Sequence, residues 1–139
     1  ETTDHILQCP TREPVHSKFY TNFIELMREK ELPNDILELF DAGIDIALFM
    51  PLQFSFDEDY MDAADIMMDE RVITILNNDN IRPDRREAFA QQTRMGWTRI
   101  FMGFFTTGWR TSTEDLDHKW MSSCTRLFLE WGHACWTHR

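Results

Sequence analysis

Arg99 is the only charged residue in the apolar stretch 95–109, and its chemistry needs a partner. A guanidinium cannot lose its proton, and it is costly to bury without a carboxylate. At helical spacing the neighbouring side chains cover most of a helix circumference, which predicts a helix buried on nearly all sides. Arg99 is therefore expected to meet a carboxylate inside the chain or on a docked partner, unless its head reaches solvent. The apolar neighbours are Trp97, Ile100, Phe101, Phe104 and Phe105.

Two other groups contain residue types that are used in metal binding and catalysis. Imidazole and thiol groups that could bind zinc occur at Cys124, His133, Cys135 and His138, but their spacing is not that of a zinc finger or knuckle. Hydroxyl, thiol and imidazole groups also occur, without a recognisable nucleophile turn, at His118, Ser122, Ser123 and Cys124. We therefore predict no enzyme, no metal site and no cofactor.

Composition narrows the class of partner. The formal net charge of -10 argues against nucleic acid and anionic lipid, and favours basic or mixed-charge partners. With 42% hydrophobic residues, the 139 residues predict one domain, 1–139, with a substantial core. Three cysteines cannot all pair, which predicts reduced thiols in an intracellular compartment. No run of 18 apolar residues occurs, so membrane contact would need an anchor outside this sequence.

Apolar periodicity predicts an almost entirely helical chain. Residues 1–14 have no such period and contain Pro10 and Pro14, which predicts a loose N-terminal arm. Serine or threonine followed by acids at 111–115 predicts the start of the last helix or pair of helices. The other expected helices are 17–30, with Ser17 as cap, 36–50, 56–68, 71–76, 83–93 and the buried helix that contains Arg99.

The segment 56–68 combines an apolar stripe with many acids. Phe56, Tyr60, Ala63 and Met67 are spaced four, three and four residues apart, which places them on one face of a helix. Seven acids lie between positions 57 and 70, and they predict a solvated face opposite this stripe.

These motifs resemble those of the Bcl-2 family. Gly96-Trp97-Thr98-Arg99-Ile100, followed by Phe101-Met102-Gly103 and two further phenylalanines, resembles the BH1 signature, with Gly96 in place of asparagine and Thr98 in place of glycine. Tyr60 followed by Ala64-Asp65 is similar to a BH3 motif, and is preferred to a second candidate at 39–46. Tryptophans and glycine between 119 and 136 loosely resemble the BH2 region.

The resemblance implies an all-α, Bcl-2-like bundle of seven to eight helices around a central buried helix. It also implies an apoptosis inhibitor, which sequesters Bim-like or Bax- and Bak-like BH3 helices in a hydrophobic groove. The degenerate motifs resemble those of viral members carried by large DNA viruses such as iridoviruses or poxviruses. That resemblance implies a location in the host-cell cytoplasm, in association with mitochondria. The implied ligand-binding residues are Tyr60, Met61, Ala64, Met67, Met68, Ile75, Gly96, Trp97, Thr98, Arg99, Ile100 and Phe104.

Two alternatives to groove binding stay open at this point. One is a viral adaptor that blocks host inflammatory signalling through a face outside the groove. The other is a self-associating homodimer whose groove is occluded. For a ligand-binding groove, the volume of Thr98 predicts a narrow ligand range, and an acidic rim predicts a preference for BH3 peptides with basic flanks.

Overall fold

The computed structural model describes residues 3–49, 69–116 and 119–137. All regular structure in these residues is helical, which confirms the predicted all-α fold class. Seven α-helices and two 3-10 helices follow one another in these ranges. They are α1 (Thr3–Gln8), the first 3-10 helix (Pro10–Arg12), α2 (Glu13–Glu29), α3 (Asn34–Leu48), α4 (Glu70–Leu76), α5 (Pro83–Met95), the second 3-10 helix (Trp97–Met102), α6 (Thr107–Ser112) and α7 (Trp120–Thr137).

The central element of the bundle is α3. Eight of its fifteen residues are buried, so it is apolar around most of its circumference. Phe40 on α3 is fully buried, and its ring lies beside six other aromatic rings. These rings belong to Phe23, Trp97, Phe105, Trp109, Trp120 and Phe128. The sequence predicts a helix at 36–50, but it places the central buried helix around Arg99 instead.

The prediction of a continuous buried helix around Arg99 is wrong. Helix α5 ends at Met95, and Gly96 takes φ +113°, a conformation that favours glycine. The second 3-10 helix follows and ends at Gly103, whose φ is +85°. The apolar residues of this stretch suggested a continuous helix, but the two glycines divide it into separate short elements.

The prediction of a loose N-terminal arm is also wrong, because this segment packs against the core. Ile6 and Leu7 of α1 are buried, and the side-chain amide of Gln8 donates to the Ala47 carbonyl at 3.1 Å. The Arg12 Nε donates to the Cys135 carbonyl at 3.1 Å. Helix α2 begins before the expected Ser17, since proline is compatible with a first helical turn.

The remaining predicted helices have mixed outcomes. Helices α3, α4 and α5 confirm those expected at 36–50, 71–76 and 83–93, with ends shifted by one or two residues. The expected helix start at 111–115 is wrong, because Thr111 and Ser112 end α6. The hydroxyl of Thr113 donates to the Trp109 carbonyl and accepts from Trp120 Nε1, so it closes a turn. Helix α7 then buries the stripe Trp120, Cys124, Phe128, Trp131 and Cys135.

Replacing Phe40 tests the central position of α3. Phe40→Ala leaves a cavity in the aromatic core and should lower the free energy of unfolding by about 3–5 kcal/mol. Phe49→Ala is the matched control, because Phe49 is 51% exposed at the end of the same helix. Its loss should stay at about 1 kcal/mol or less in urea unfolding. Equal losses in the two variants would contradict the assignment of α3 as the centre.

Candidate functional site

The side chain of Gln92 holds the connection between α5 and α6 in place. It is buried, and its Oε1 accepts from the Thr106 backbone N–H at 3.0 Å and from Trp109 Nε1 at 3.1 Å. Its Nε2 donates to the carbonyls of Gly96 and Phe104, each at 3.4 Å. One buried amide therefore ties together both ends of the second 3-10 helix. This closed turn is the scaffold of the candidate site.

The turn presents an exposed apolar surface. Met95, Met102, Phe104 and Leu129 are between 39% and 52% exposed, and we call them, with Arg99, the Phe104 patch. They are four of the seven large apolar side chains that are exposed among the described residues, so this surface concentrates them. Leu129 joins the patch from α7, because a Cβ at Gly103 would lie 3.4 Å from its Cδ2. Sequence periodicity missed the contribution of Leu129.

Arg99 is exposed, which is the alternative in which its head reaches solvent. Its backbone carbonyl accepts from the Phe104 N–H at 3.0 Å, which ties it to the patch. In the part of the chain that the structure describes, no carboxylate forms an ion pair with Arg99. Its guanidinium therefore has no acidic partner in these residues.

The other predicted binding residues are distributed between surface and core. Gly96 and Thr98 are half-buried, whereas Trp97 and Ile100 belong to the core. Ile75 is buried and lines a separate cavity between α2, α3 and α4. The structure thus leaves only Arg99 and Phe104 of the described members fully at the surface. The predicted residues Tyr60, Met61, Ala64, Met67 and Met68 lie outside the described residues.

A cleft between α6 and α7 adjoins the Phe104 patch. Its volume is about 1050 Å³, and Leu129 belongs to both surfaces. Apolar side chains that line it include Phe105, Leu116, Trp120 and Met121, and charged ones are Arg110, Glu114, Arg126 and Glu130. This α6–α7 cleft was not anticipated, because residues 111–115 were expected to start a helix.

Among the arginines that the structure describes, the buried one is Arg85 and not Arg99. Arg85 is 3% exposed, and its Nη1 lies 2.9 and 3.0 Å from the two carboxylate oxygens of Asp35. Its Nε donates to the Ser112 carbonyl at 3.2 Å, and its Nη2 reaches Asp115 at 3.3 Å. The group joins α3, α5 and the end of α6. Its role is structural, since all of these partners lie within the chain.

The two candidate cysteines of α7 are buried, which disfavours metal binding and nucleophilic chemistry by their thiols. Burial raises the pKa of the Cys124 thiol to about 12 and that of Cys135 to about 11, which keeps both protonated. His133 is exposed, and His118 and His138 lie outside the described residues. Within 3–49, 69–116 and 119–137, no three histidine, cysteine or acidic residues are placed to hold a metal ion. None of the helices in these ranges is long and apolar enough to cross a membrane.

No protein-family model, no curated protein and no solved structure matches this chain. The Bcl-2 resemblance therefore rests on the sequence motifs alone, and the family remains a prediction.

Removing Arg85 tests its structural role. Arg85→Met leaves Asp35 largely buried without its cation, and should lower the free energy of unfolding by about 3–5 kcal/mol. Arg82→Met is the control, because Arg82 forms exposed ion pairs with Asp84 and Asp115. Exposed pairs contribute little because solvent screens them, so the free energy of unfolding should change far less in this variant. Comparable losses in urea unfolding of the two variants would contradict the structural role of Arg85.

Burial of His16 predicts that stability depends on pH. Its Nε2 donates to the Leu7 carbonyl at 2.7 Å, and its Nδ1 accepts from Trp131 Nε1 at 2.9 Å, so the ring is neutral. Burial lowers the pKa of His16 below the ordinary 6.5. The unfolded chain therefore binds this proton first. The stabilisation that neutral His16 gives the folded state is complete above about pH 6.5, and it is lost as the pH falls from there through the lowered pKa.

The measurement is urea unfolding of the protein and of His16→Gln between about pH 7.5 and about pH 5. The stability difference between them should be largest at the upper pH and shrink on acidification. A difference that stays constant would contradict the assignment of a neutral His16.

Proposed function

We propose that this chain is a protein-interaction domain that binds an amphipathic helix of a partner on the Phe104 patch. The observation that carries the proposal is the convergence of exposed apolar side chains around Arg99, an exposed arginine without an acidic partner in the described residues. Contiguous exposed apolar surface is typical of interaction sites. An arginine within it adds a specific contact, because it can form charge-assisted, bidentate hydrogen bonds with a carboxylate.

The Phe104 patch suits a ligand helix because its apolar side chains are adaptable and a cleft lies next to them. Met102, Phe104 and Leu129 would contact the apolar stripe of a ligand helix, whose anchors recur at i, i+3 or i+4, and i+7. Methionine side chains are flexible and fit ligands of different shape. The α6–α7 cleft would receive an anchor from the next turn of the ligand, while Arg99 pairs with an acidic residue of that ligand.

The BH1 resemblance makes BH3 helices the first ligands to test. In that case the protein would sequester pro-apoptotic BH3 helices and inhibit host apoptosis. The support for this ligand class is the motif 96–100, whose arginine is exposed. The described residues hold this motif in a 3-10 helix instead of the buried helix that the family resemblance implies. The proposal is therefore based on the Phe104 patch and not on a family groove.

Calorimetric titration with a panel of BH3 peptides tests the proposal. Phe104→Ala removes an apolar anchor and should weaken binding by about 1–3 kcal/mol. Phe49→Ala is the control, since the two phenylalanines are almost equally exposed, at 52% and 51%. Arg99→Ala should cost about 1.5–3 kcal/mol through loss of a charged hydrogen bond. Arg28→Ala on α2 is its control, because Arg28 is exposed and outside the patch.

Circular dichroism checks that each variant keeps its helical content. Absence of binding by every peptide would contradict the BH3 ligand class. Binding that both phenylalanine variants weaken equally would contradict the Phe104 patch as the site.

A further inference from the structure

The exposed charges around the Phe104 patch are mostly positive, although the whole chain has a net charge of -10. Arg94 directly precedes Met95 of the patch, and Arg110 and Arg126 line the adjoining α6–α7 cleft. All three are exposed, and we call them the border arginines. The acids that line the cleft are Glu114 and Glu130. With Arg99, four arginines thus stand beside two glutamates on this surface.

Most of these arginines have no acidic partner within the described residues. Arg126 Nε lies 3.2 Å from Glu130, but both side chains are largely exposed, so the pair contributes little. Arg94 and Arg110 form no ion pair in 3–49, 69–116 and 119–137.

Arginines elsewhere in the described residues fall into two groups. Arg71 pairs with Asp45 and Asp69, and both Arg82 and Arg85 pair with aspartates of the chain. Arg12, Arg28 and Arg86 also form no ion pair in the described residues, so what distinguishes Arg94, Arg99 and Arg110 is their exposed position in or next to the Phe104 patch and the α6–α7 cleft.

We infer that the partner of the Phe104 patch is an acidic amphipathic helix, with aspartate or glutamate on the flanks of its apolar stripe. This inference rests on the proposed function and adds the charge of the partner to it. Arg94 would face one flank of the bound helix, and Arg110 and Arg126 the flank towards the cleft. Complementary charges of this kind orient a partner and raise the association rate, while like charges exclude wrong partners.

The local charge reverses the expectation from net charge. Acids outnumber basic residues over the whole chain, which by itself predicts an acidic rim that favours ligands with basic flanks. Nucleic acid is the other anionic partner to consider. The exposed Met102, Phe104 and Leu129, together with the two glutamates of the cleft, favour a helix with an apolar stripe over a phosphate backbone.

A matched pair of synthetic peptides tests the inference on the full chain. Both have leucine at i, i+3, i+4 and i+7; one carries glutamate at the flanking positions and the other lysine. In fluorescence anisotropy at low salt, the glutamate peptide should bind at least about tenfold more tightly than the lysine peptide. The ratio should shrink towards one as salt rises to about 1 M, because exposed charges are then screened within a few ångströms.

Charge reversal on the protein locates the effect. Arg94→Glu combined with Arg110→Glu should weaken the glutamate peptide and favour the lysine peptide, by about tenfold or more in the ratio. Neither replacement leaves an orphaned acid among the described residues. Arg28→Glu is the control, and should leave the ratio at its original value, since Arg28 lies on α2 outside the patch.

Three results would overturn the inference in distinguishable ways. Equal or tighter binding of the lysine peptide would exclude an acidic partner and leave the helix-binding function intact. Tighter binding of a single-stranded DNA oligonucleotide than of the glutamate peptide would assign the arginines to a phosphate backbone. Failure of both peptides to bind would overturn the proposed function together with the inference.

Discussion

The close approach of the Trp97 ring to Gly43 is the contact on which the rest of the described structure depends. A Cβ at position 43 would lie 2.3 Å from the ring, so the indole sits directly on the backbone of α3. The indole Nε1 of Trp97 donates to the Thr93 hydroxyl at 3.0 Å, and the indole ring lies edge-on to the Phe40 ring. These contacts with α3 and α5 fix the indole, and with it the chain that follows α5, against α3.

This placement decides which residues of the next segment face solvent. In a 3-10 helix, residues three apart lie on the same side. Trp97 and Ile100 therefore both point into the core, while Arg99 and Met102 both point outwards. Burial of one side thus forces exposure of an arginine and a methionine on the other. The Gln92 amide then closes the turn, and Phe104 emerges next to this exposed side.

The arginines of this protein divide into those that pair within the fold and those that remain exposed. Arg71 and Arg85 each pair with an aspartate of α3, so they contribute to the fold and offer little to a partner. The arginines around the second 3-10 helix and the α6–α7 cleft remain exposed. The long-range charge of the chain is negative, but a docked helix would experience the nearby arginines, since screening limits exposed charges to about 8–10 Å.

The sequence by itself determined the all-helical class and the positions of α3, α4 and α5, because apolar periodicity and proline are local signals. Of the apolar residues that it predicted to be buried around Arg99, Trp97, Ile100 and Phe101 are in the core, whereas Phe104 is exposed. Only the tertiary structure decided that Arg85 is buried and that Arg99 is exposed. The partners of Arg85 are Asp35 and Asp115, which lie 50 and 30 residues away in the chain. No local pattern reports such contacts, and the same holds for the position of Leu129 beside Gly103, which completes the Phe104 patch.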